Sequence, residues 1–259
     1  MNTAGMNLVI CRTLEEASER AADHVARALA GRAAISPRIT MVLSGGGTPR
    51  RLYHLLASDP LRDLIPWPRL HLFWGDERCV PPDDPASNYR MALETLISRV
   101  PIPSQNVHRM RAELGEPGRA AEMYEAELRR FWIGTPGDWP RFDLVMLGIG
   151  ADGHTASLFP GSPALDETTR WVAAPYIDRL KCHRLTLTPP VFNHADEICF
   201  LAAGREKASI LKSMAAHDRG TAPLPAQLIR PATGRVVFFL DADAAGLLEK
   251  GDALSTRTA

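Results

Sequence analysis

Ile39-Thr-Met-Val-Leu43 runs directly into Ser44-Gly-Gly-Gly-Thr-Pro49. A short, mostly apolar run bounded by glycines reads as a buried strand followed by a tight loop. Thr48-Pro49 then opens a helix, with threonine at the N-cap and proline at the first helical position. Strand, glycine loop and helix in immediate succession form the building unit of an α/β fold, and the unit recurs along the chain.

Leu70–Trp74 is a second buried strand, followed by Gly75-Asp-Glu-Arg78 as a polar loop. Phe142–Leu147 runs into Gly148-Ile-Gly-Ala-Asp-Gly-His154 in the same way, and Ile198–Ala202 and Arg235–Leu240 are further strands. The last of these is followed by a short closing helix, and Arg184–Thr188 alternates as a strand does. Helices fall between the strands. Thr13-Leu-Glu-Glu16 reads as a capping box, and Leu14, Ala17, Ala21, Val25 and Ala28 recur at helical spacing over 13–30. Ser87 caps a helix running to about Val100, and 119–132 and 205–214 are helical. The alternation predicts an α/β fold, a mostly parallel open sheet with helices on both faces, Rossmann-like in layout. No linker, repeat or low-complexity tract divides the chain, so one domain over 1–259 is expected.

Bulk properties narrow the function. Apolar residues make up 45% and charged residues 23% of the 259, as in an ordinary globular protein. Lysine and arginine number 30 against 30 acidic residues, so no basic excess points to nucleic acid or an anionic membrane. Cys11, Cys79, Cys182 and Cys199 form no CxxC pair and show no zinc spacing, which fits reduced thiols in the cytoplasm. The N-terminus has no signal-peptide pattern and no run is long enough to span a membrane.

In open parallel sheets, ligands sit beyond the carboxyl ends of the strands. Segments 44–48, 75–78 and 148–154 all fall there. Ser44, Gly45, Gly46, Gly47 and Thr48 lead into a helix N-terminus, where free N–H groups favour an anion such as phosphate; the alternative is a tight turn with no ligand. The loop is neither GxxxxGK[ST] nor GxGxxG. Asp76-Glu77-Arg78 is either a solvated loop or a way to hold an arginine over an anion. His154 can accept a proton at neutral pH, and Asp152 can either hold its tautomer or cap a short helix beginning near it. GxSxG and HExxH are absent, and no metal-ligand spacing links the remaining histidines. His24 and His54 sit in helices, and His183 lies beside Arg184 at a strand start.

Taken in order, these segments resemble the 6-phosphogluconolactonase family. The residues that carry the resemblance are Ser44-Gly-Gly-Gly-Thr-Pro49, Phe73-Trp-Gly-Asp-Glu-Arg78, Ser87-Asn-Tyr-Arg90, Pro101-Ile-Pro103 and Asn106-Val-His108. Leu147–Pro160, Arg184–Thr188 and Ala203-Gly-Arg-Glu-Lys-Ala208 complete the series. The resemblance implies a NagB-like superfamily fold, a phosphorylated sugar lactone as substrate, no cofactor, no metal, and a monomer or small homo-oligomer. It implies His154 as general base and Asp152 as its supporting carboxylate. Ser44 to Thr48 would bind the phosphate. Asp76, Arg78, Arg184 and Lys207 would lie near the phosphate or the lactone oxygens, while Arg50 and Arg51 stay outside.

Two rivals share the fold. Glucosamine-6-phosphate deaminases place a glutamate at the position held here by Phe159, and a tyrosine in place of Arg78. Both departures favour the lactonase. A sugar-phosphate sensor without catalysis would need a DNA-binding segment, for which there is no room before Ile39, and it would not need Asp152 and His154.

Overall fold

The structure, a computed structural model, describes residues 6–133, 139–215, 222–249 and 254–256. Twelve strands are present among them: β1 Met6–Cys11, β2 Ile39–Leu43, β3 Leu70–Trp74, β4 Asp76–Arg78, β5 Val107–His108, β6 Leu144–Leu147, β7 Val172–Ala173, β8 Tyr176–Ile177, β9 Cys182–Leu187, β10 Glu197–Ala202, β11 Arg235–Asp241 and β12 Leu254–Thr256. The helices are α1 Leu14–Ala33, α2 Pro49–Leu56, α3 Leu61–Leu64, α4 Asn88–Thr95, α5 Pro117–Phe131, α6 Pro189–Asn193 and α7 Ala208–Ala215.

Eight strands form one sheet in the order β12-β1-β11-β10-β6-β2-β3-β5. Every pairing in it is parallel. The apolar runs read from sequence become its centre: β2, β6 and β10 are buried at every residue, as strands covered on both faces must be. The right-handed crossover rule places the helices after strands that step toward β5 on one face and those after strands that step toward β1 on the other. Consistent with this, α1 packs on α2, and α2 on α4.

From β2 the chain winds outward through β3 to β5. From β6 it winds the other way, through β10 to β11. Neighbouring β2 and β6 therefore mark the switch point, where the loops leaving their carboxyl ends diverge and open a crevice. Those loops are 44–48 and 148–154.

Local details depart from the sequence reading where side chains found other partners. Thr13 caps α1, its Oγ1 accepting from Glu16 N at 3.2 Å. The return half of the capping box is absent, because the Glu16 carboxylate accepts from Arg12 N and Nε at 3.0 Å instead. Thr48 is already helical (φ −59°, ψ −46°) and makes no cap bond. Ser87 caps α4, but that helix ends at Thr95 and is followed by a separate 3-10 turn, Ile97–Arg99. Residues 205–207 form a 3-10 turn before α7. The closing helix after β11 is a series of turns over 242–247, tied down by Ala244 N donating to Asp241 Oδ1 at 2.8 Å.

Asp76–Arg78 is a strand and not a loop. It pairs antiparallel with β9, which also carries β7 and β8, forming a small sheet above the carboxyl end of β3. Gly75 joins the two sheets: its N–H donates to Leu43 O at 3.0 Å, and its carbonyl accepts from Leu187 N at 2.8 Å.

At the far edge of the large sheet, His71 Nδ1 meets His108 Nε2 at 3.1 Å, and His108 Nδ1 meets Glu127 Oε1 at 2.8 Å. With both rings neutral, His71 donates to His108 and His108 donates to Glu127. Burial, then the neighbouring His108 and Arg38, push the His71 pKa down from 6.5 to about 4. Between those values the unfolded chain binds the proton and the folded one does not, so stability is lost as pH falls from 6.5 toward 4. The ring is only half-buried, so after screening the loss is about 1 kcal/mol, or ~2–4 °C in Tm. His71→Phe is expected to shrink the Tm drop between pH 7 and pH 5 by about that amount in thermal unfolding followed by circular dichroism.

Candidate active site

Segment 148–154 leaves β6 as consecutive turns, without a helix at His154. Gly150 N donates to His154 O at 2.8 Å and Gly153 N to Gly150 O at 3.0 Å. The turn folds His154 back over its own start. Asp152 Oδ1 then lies 3.2 Å from the His154 backbone N and 2.5 Å from its Nδ1. That contact places the proton on Nδ1 and leaves Nε2 as an acceptor. Burial raises the Asp152 pKa, but the hydrogen bonds from the His154 ring and backbone, with the charges of His154 and Arg179, outweigh it. The carboxyl is therefore held below its ordinary range.

Two groups absent from the sequence reading of this pair complete its surroundings. The Phe159 ring stacks on the His154 ring with centroids 4.3 Å apart. Arg179, from a 3-10 turn between β8 and β9, reaches Asp152 Oδ2 at 2.9 Å.

Across the crevice, the glycine loop is held at its first residue. The Tyr53 hydroxyl accepts from Ser44 N and donates to Ser44 O, both at 2.9 Å. Tyr53 is fully buried, which pushes its phenol pKa well up and keeps it neutral, so it can do both. Gly45 presses against Asn88: a Cβ there would sit 1.8 Å from Asn88 Oδ1, so only glycine fits.

Asp76, expected near substrate, is buried and its carboxylate is already engaged. Asn88 Nδ2 donates to Asp76 O at 2.9 Å and to its Oδ1 at 3.2 Å, and Ser157 Oγ donates to Oδ2 at 2.7 Å. Asp76 thereby ties the glycine-loop side to the segment that follows His154. Glu77 is buried too, and accepts from Arg78 N, Asn88 N and Tyr89 N, each at 2.8 Å, which holds the start of α4. Burial raises its pKa despite those donors.

Arg78 and Arg184 are register partners across β4 and β9, so their side chains leave the same face of the small sheet. Arg78 donates to Ala86 O, and Arg184 to His183 O at 3.2 Å. Neither forms an ion pair among the described residues. Two adjacent guanidinium groups without a carboxylate suit an anion. Lys207 lies in the turn after β10, beside β6 at the same edge, with its Nζ 3.9 Å from Glu206. Asn88, Ser157, Phe159 and Arg179 were missed as site residues. Asn88, Ser157 and Phe159 lie inside segments that carry the family resemblance, and Phe159 marks the departure from the deaminases; no sequence signal pointed to Arg179.

One group of potential metal donors occurs among the described residues: His24, Glu197 and Cys199, within 4.8 Å of one another. It lies toward the opposite end of the sheet. There Glu197 is already shared between His24 at 2.6 Å and Arg235 at 2.7 Å, and burial pushes the Cys199 thiol well up. No helix among the described residues is long and apolar enough to cross a membrane.

A parallel α/β sheet with a histidine–aspartate pair at its switch point, facing a glycine loop, defines a class of α/β enzymes built for small anionic ligands. Comparison with known proteins narrows this. Residues 12–238 match the family described as glucosamine-6-phosphate isomerases/6-phosphogluconolactonase. A relative named 6-phosphogluconolactonase from Synechocystis sp. is 42% identical over 79% of this chain and 82% of its own. The solved 6-phosphogluconolactonase from Trypanosoma cruzi superposes with a TM-score of 0.84 at 31% identity, covering 95% of this chain and 98% of that one. A monomeric glucosamine-6-phosphate deaminase superposes at 0.77 with 19% identity, over 93% of this chain and 100% of the other, a likeness of fold alone. The chain belongs to the glucosamine-6-phosphate isomerase/6-phosphogluconolactonase family.

Proposed function

We propose that the chain is a one-domain cytoplasmic 6-phosphogluconolactonase, opening 6-phospho-D-glucono-1,5-lactone to 6-phospho-D-gluconate in the second step of the oxidative pentose phosphate pathway. The observation that carries this is the His154–Asp152 contact of 2.5 Å, which leaves His154 Nε2 as a base at the crevice. The names of the similar proteins support the choice of substrate.

In this reading Nε2 takes a proton from water as the oxygen attacks C1 of the lactone. Negative charge then builds on the carbonyl oxygen and is met by a guanidinium or by backbone N–H groups of the crevice. The imidazolium, stabilised by Asp152, returns the proton to the ring oxygen as the C1–O bond breaks. The Ser44–Thr48 loop and the Arg78–Arg184 pair hold the phosphate. The Ser44 backbone is already occupied by Tyr53, so the N–H groups of Gly45 to Thr48 are the ones left to face an anion.

Deamination of an amino sugar phosphate is disfavoured by Phe159. Its apolar ring lies flat on His154, where deaminases carry a glutamate for proton transfer. The deciding experiment follows 6-phosphogluconate release from fresh lactone with the spontaneous opening subtracted. A clear excess supports the reading. No excess, with ammonia released from glucosamine 6-phosphate, replaces it with the deaminase.

Arg184→Ala is expected to raise KM for the phosphorylated lactone by roughly 10- to 100-fold while kcat falls less, as loss of a charge-assisted phosphate contact should. Steady-state kinetics check the split. A kcat loss at constant KM would move Arg184 from the phosphate to the reacting carbonyl.

A further inference from the structure

We infer that Arg179 is a positioning residue that fixes the His154–Asp152 pair in its proton-accepting arrangement; this rests on reading His154 as the base. Both carboxylate oxygens of Asp152 are engaged. Oδ1 is used twice by residue 154, through the backbone N at 3.2 Å and through Nδ1 at 2.5 Å. A carboxylate held by one oxygen can still rotate about its Cβ–Cγ bond and carry the imidazole with it. Arg179 holds the other oxygen at 2.9 Å and removes that freedom.

The same guanidinium lies over the Phe159 ring, 4.9 Å from its centroid, and that ring is also stacked on His154. Imidazole, carboxylate, guanidinium and phenyl thus close a four-membered circuit. Each group touches two others, so none can turn without disturbing the next. The charge order is also productive, with the Asp152 anion between the imidazole and a permanent cation. That arrangement helps keep the carboxylate ionised against its partial burial.

Arg179 is delivered by the hairpin that pairs Tyr176 with His183 and Ile177 with Cys182. Its turn ends at Lys181, a non-glycine residue in the left-handed region at φ +52°. The turn is closed by Lys181 N donating to Asp178 O at 3.3 Å.

The alternative role for a half-exposed arginine beside this crevice is direct contact with the substrate phosphate, and the two roles separate experimentally. Arg179→Met keeps a long side chain to cover Phe159 but loses the guanidinium. Its ¹⁵N imidazole spectrum in the full-length, ligand-free protein, with the His154 signals assigned by their loss in His154→Asn, is the first readout. The native protein is expected to show one tautomer, protonated at Nδ1. Arg179→Met is expected to show mixed or exchange-averaged tautomers, with kcat down about 10- to 100-fold and KM within about twofold. Arg179→Lys is expected to restore the single tautomer and part of kcat. Unchanged His154 signals in Arg179→Met would overturn the inference, and a rise in KM alone would reassign Arg179 to substrate binding. A tautomer shift in a protein without lactonase activity would instead leave the circuit standing and remove only the proposed reaction.

Discussion

His154→Ala lowers the turnover of lactone hydrolysis by about 10²–10⁴-fold while the sheet stays folded, a range set by what general acid–base catalysis contributes. The magnitude follows from what remains. A lactone is an activated ester, and the groups proposed to hold the phosphate are untouched by the change, so the variant is expected still to bind substrate and admit water. On the proposed mechanism it loses the acceptor for the water proton and the donor to the departing ring oxygen. Stability changes little, because His154 sits in a turn and is partly exposed, with Phe159 and Asp152 as its neighbours. Progress curves corrected for spontaneous opening, together with a thermal melt, check both halves. Turnover equal to that of the parent protein would remove His154 from the reaction.

Gly150→Ala is expected to abolish activity nearly as completely, although it adds only a methyl group and touches no substrate. A Cβ at residue 150 would lie 2.0 Å from His154 Nδ1, 2.1 Å from Cε1 and 2.7 Å from Asp152 Oδ1. The imidazole cannot retreat, because Phe159 is stacked against it with centroids 4.3 Å apart. It must swing out of the turn, and the bond to Asp152 that sets its tautomer breaks. We expect kcat to fall by roughly 10²-fold or more, the share lost when a general base is misplaced. The melting temperature should drop by only a few degrees, since the clash falls on His154 and Asp152, which are partly exposed and can move toward solvent. Kinetics and a melt on the same preparation test this, and near-native kcat would show that the turn relaxes around the methyl.

What the sequence discloses depends on how local its cause is. Strands β2, β3, β10 and β11 read almost to the residue, because burial on both faces demands apolar runs that glycine and charge interrupt at their ends. β1 was missed although Leu8-Val-Ile-Cys11 is apolar: the run is short, lies near the sheet edge, and its Ile10 is half-exposed. β4 could not be read at all. Asp76-Glu77-Arg78 is wholly charged, and it becomes a strand only because β9, more than a hundred residues later, lies alongside. Thr48 and Glu16 show the same limit at smaller scale, since a cap depends on which donor is nearer.

The site divides in the same way. Asp152 and His154 lie two residues apart on one turn, so their pairing was visible as one of two alternatives, and the structure brings them into contact. That Asp76 would spend its carboxylate on Asn88 and Ser157 depended on three separate segments meeting. Arg179 was invisible, because its partner is fixed by a hairpin that the pattern of Tyr176 to Leu187 gives no reason to aim at residue 152.

The place of β1 has a consequence for how the chain reaches its native state on the ribosome. Leu8 pairs with Phe238, far along the chain, and on its other side β1 pairs with Leu254–Thr256. α1, whose alanine-rich face packs across β10 and β11, follows β1 directly. Until β11 emerges, therefore, β1 has no strand to pair with, and α1 can pack on α2 but not yet across β10 and β11. Closing a loop of nearly the whole chain is slow and comes late. Completion of the sheet is thus expected to be a late folding step, with the segment that carries β1 the part most in need of chaperone cover.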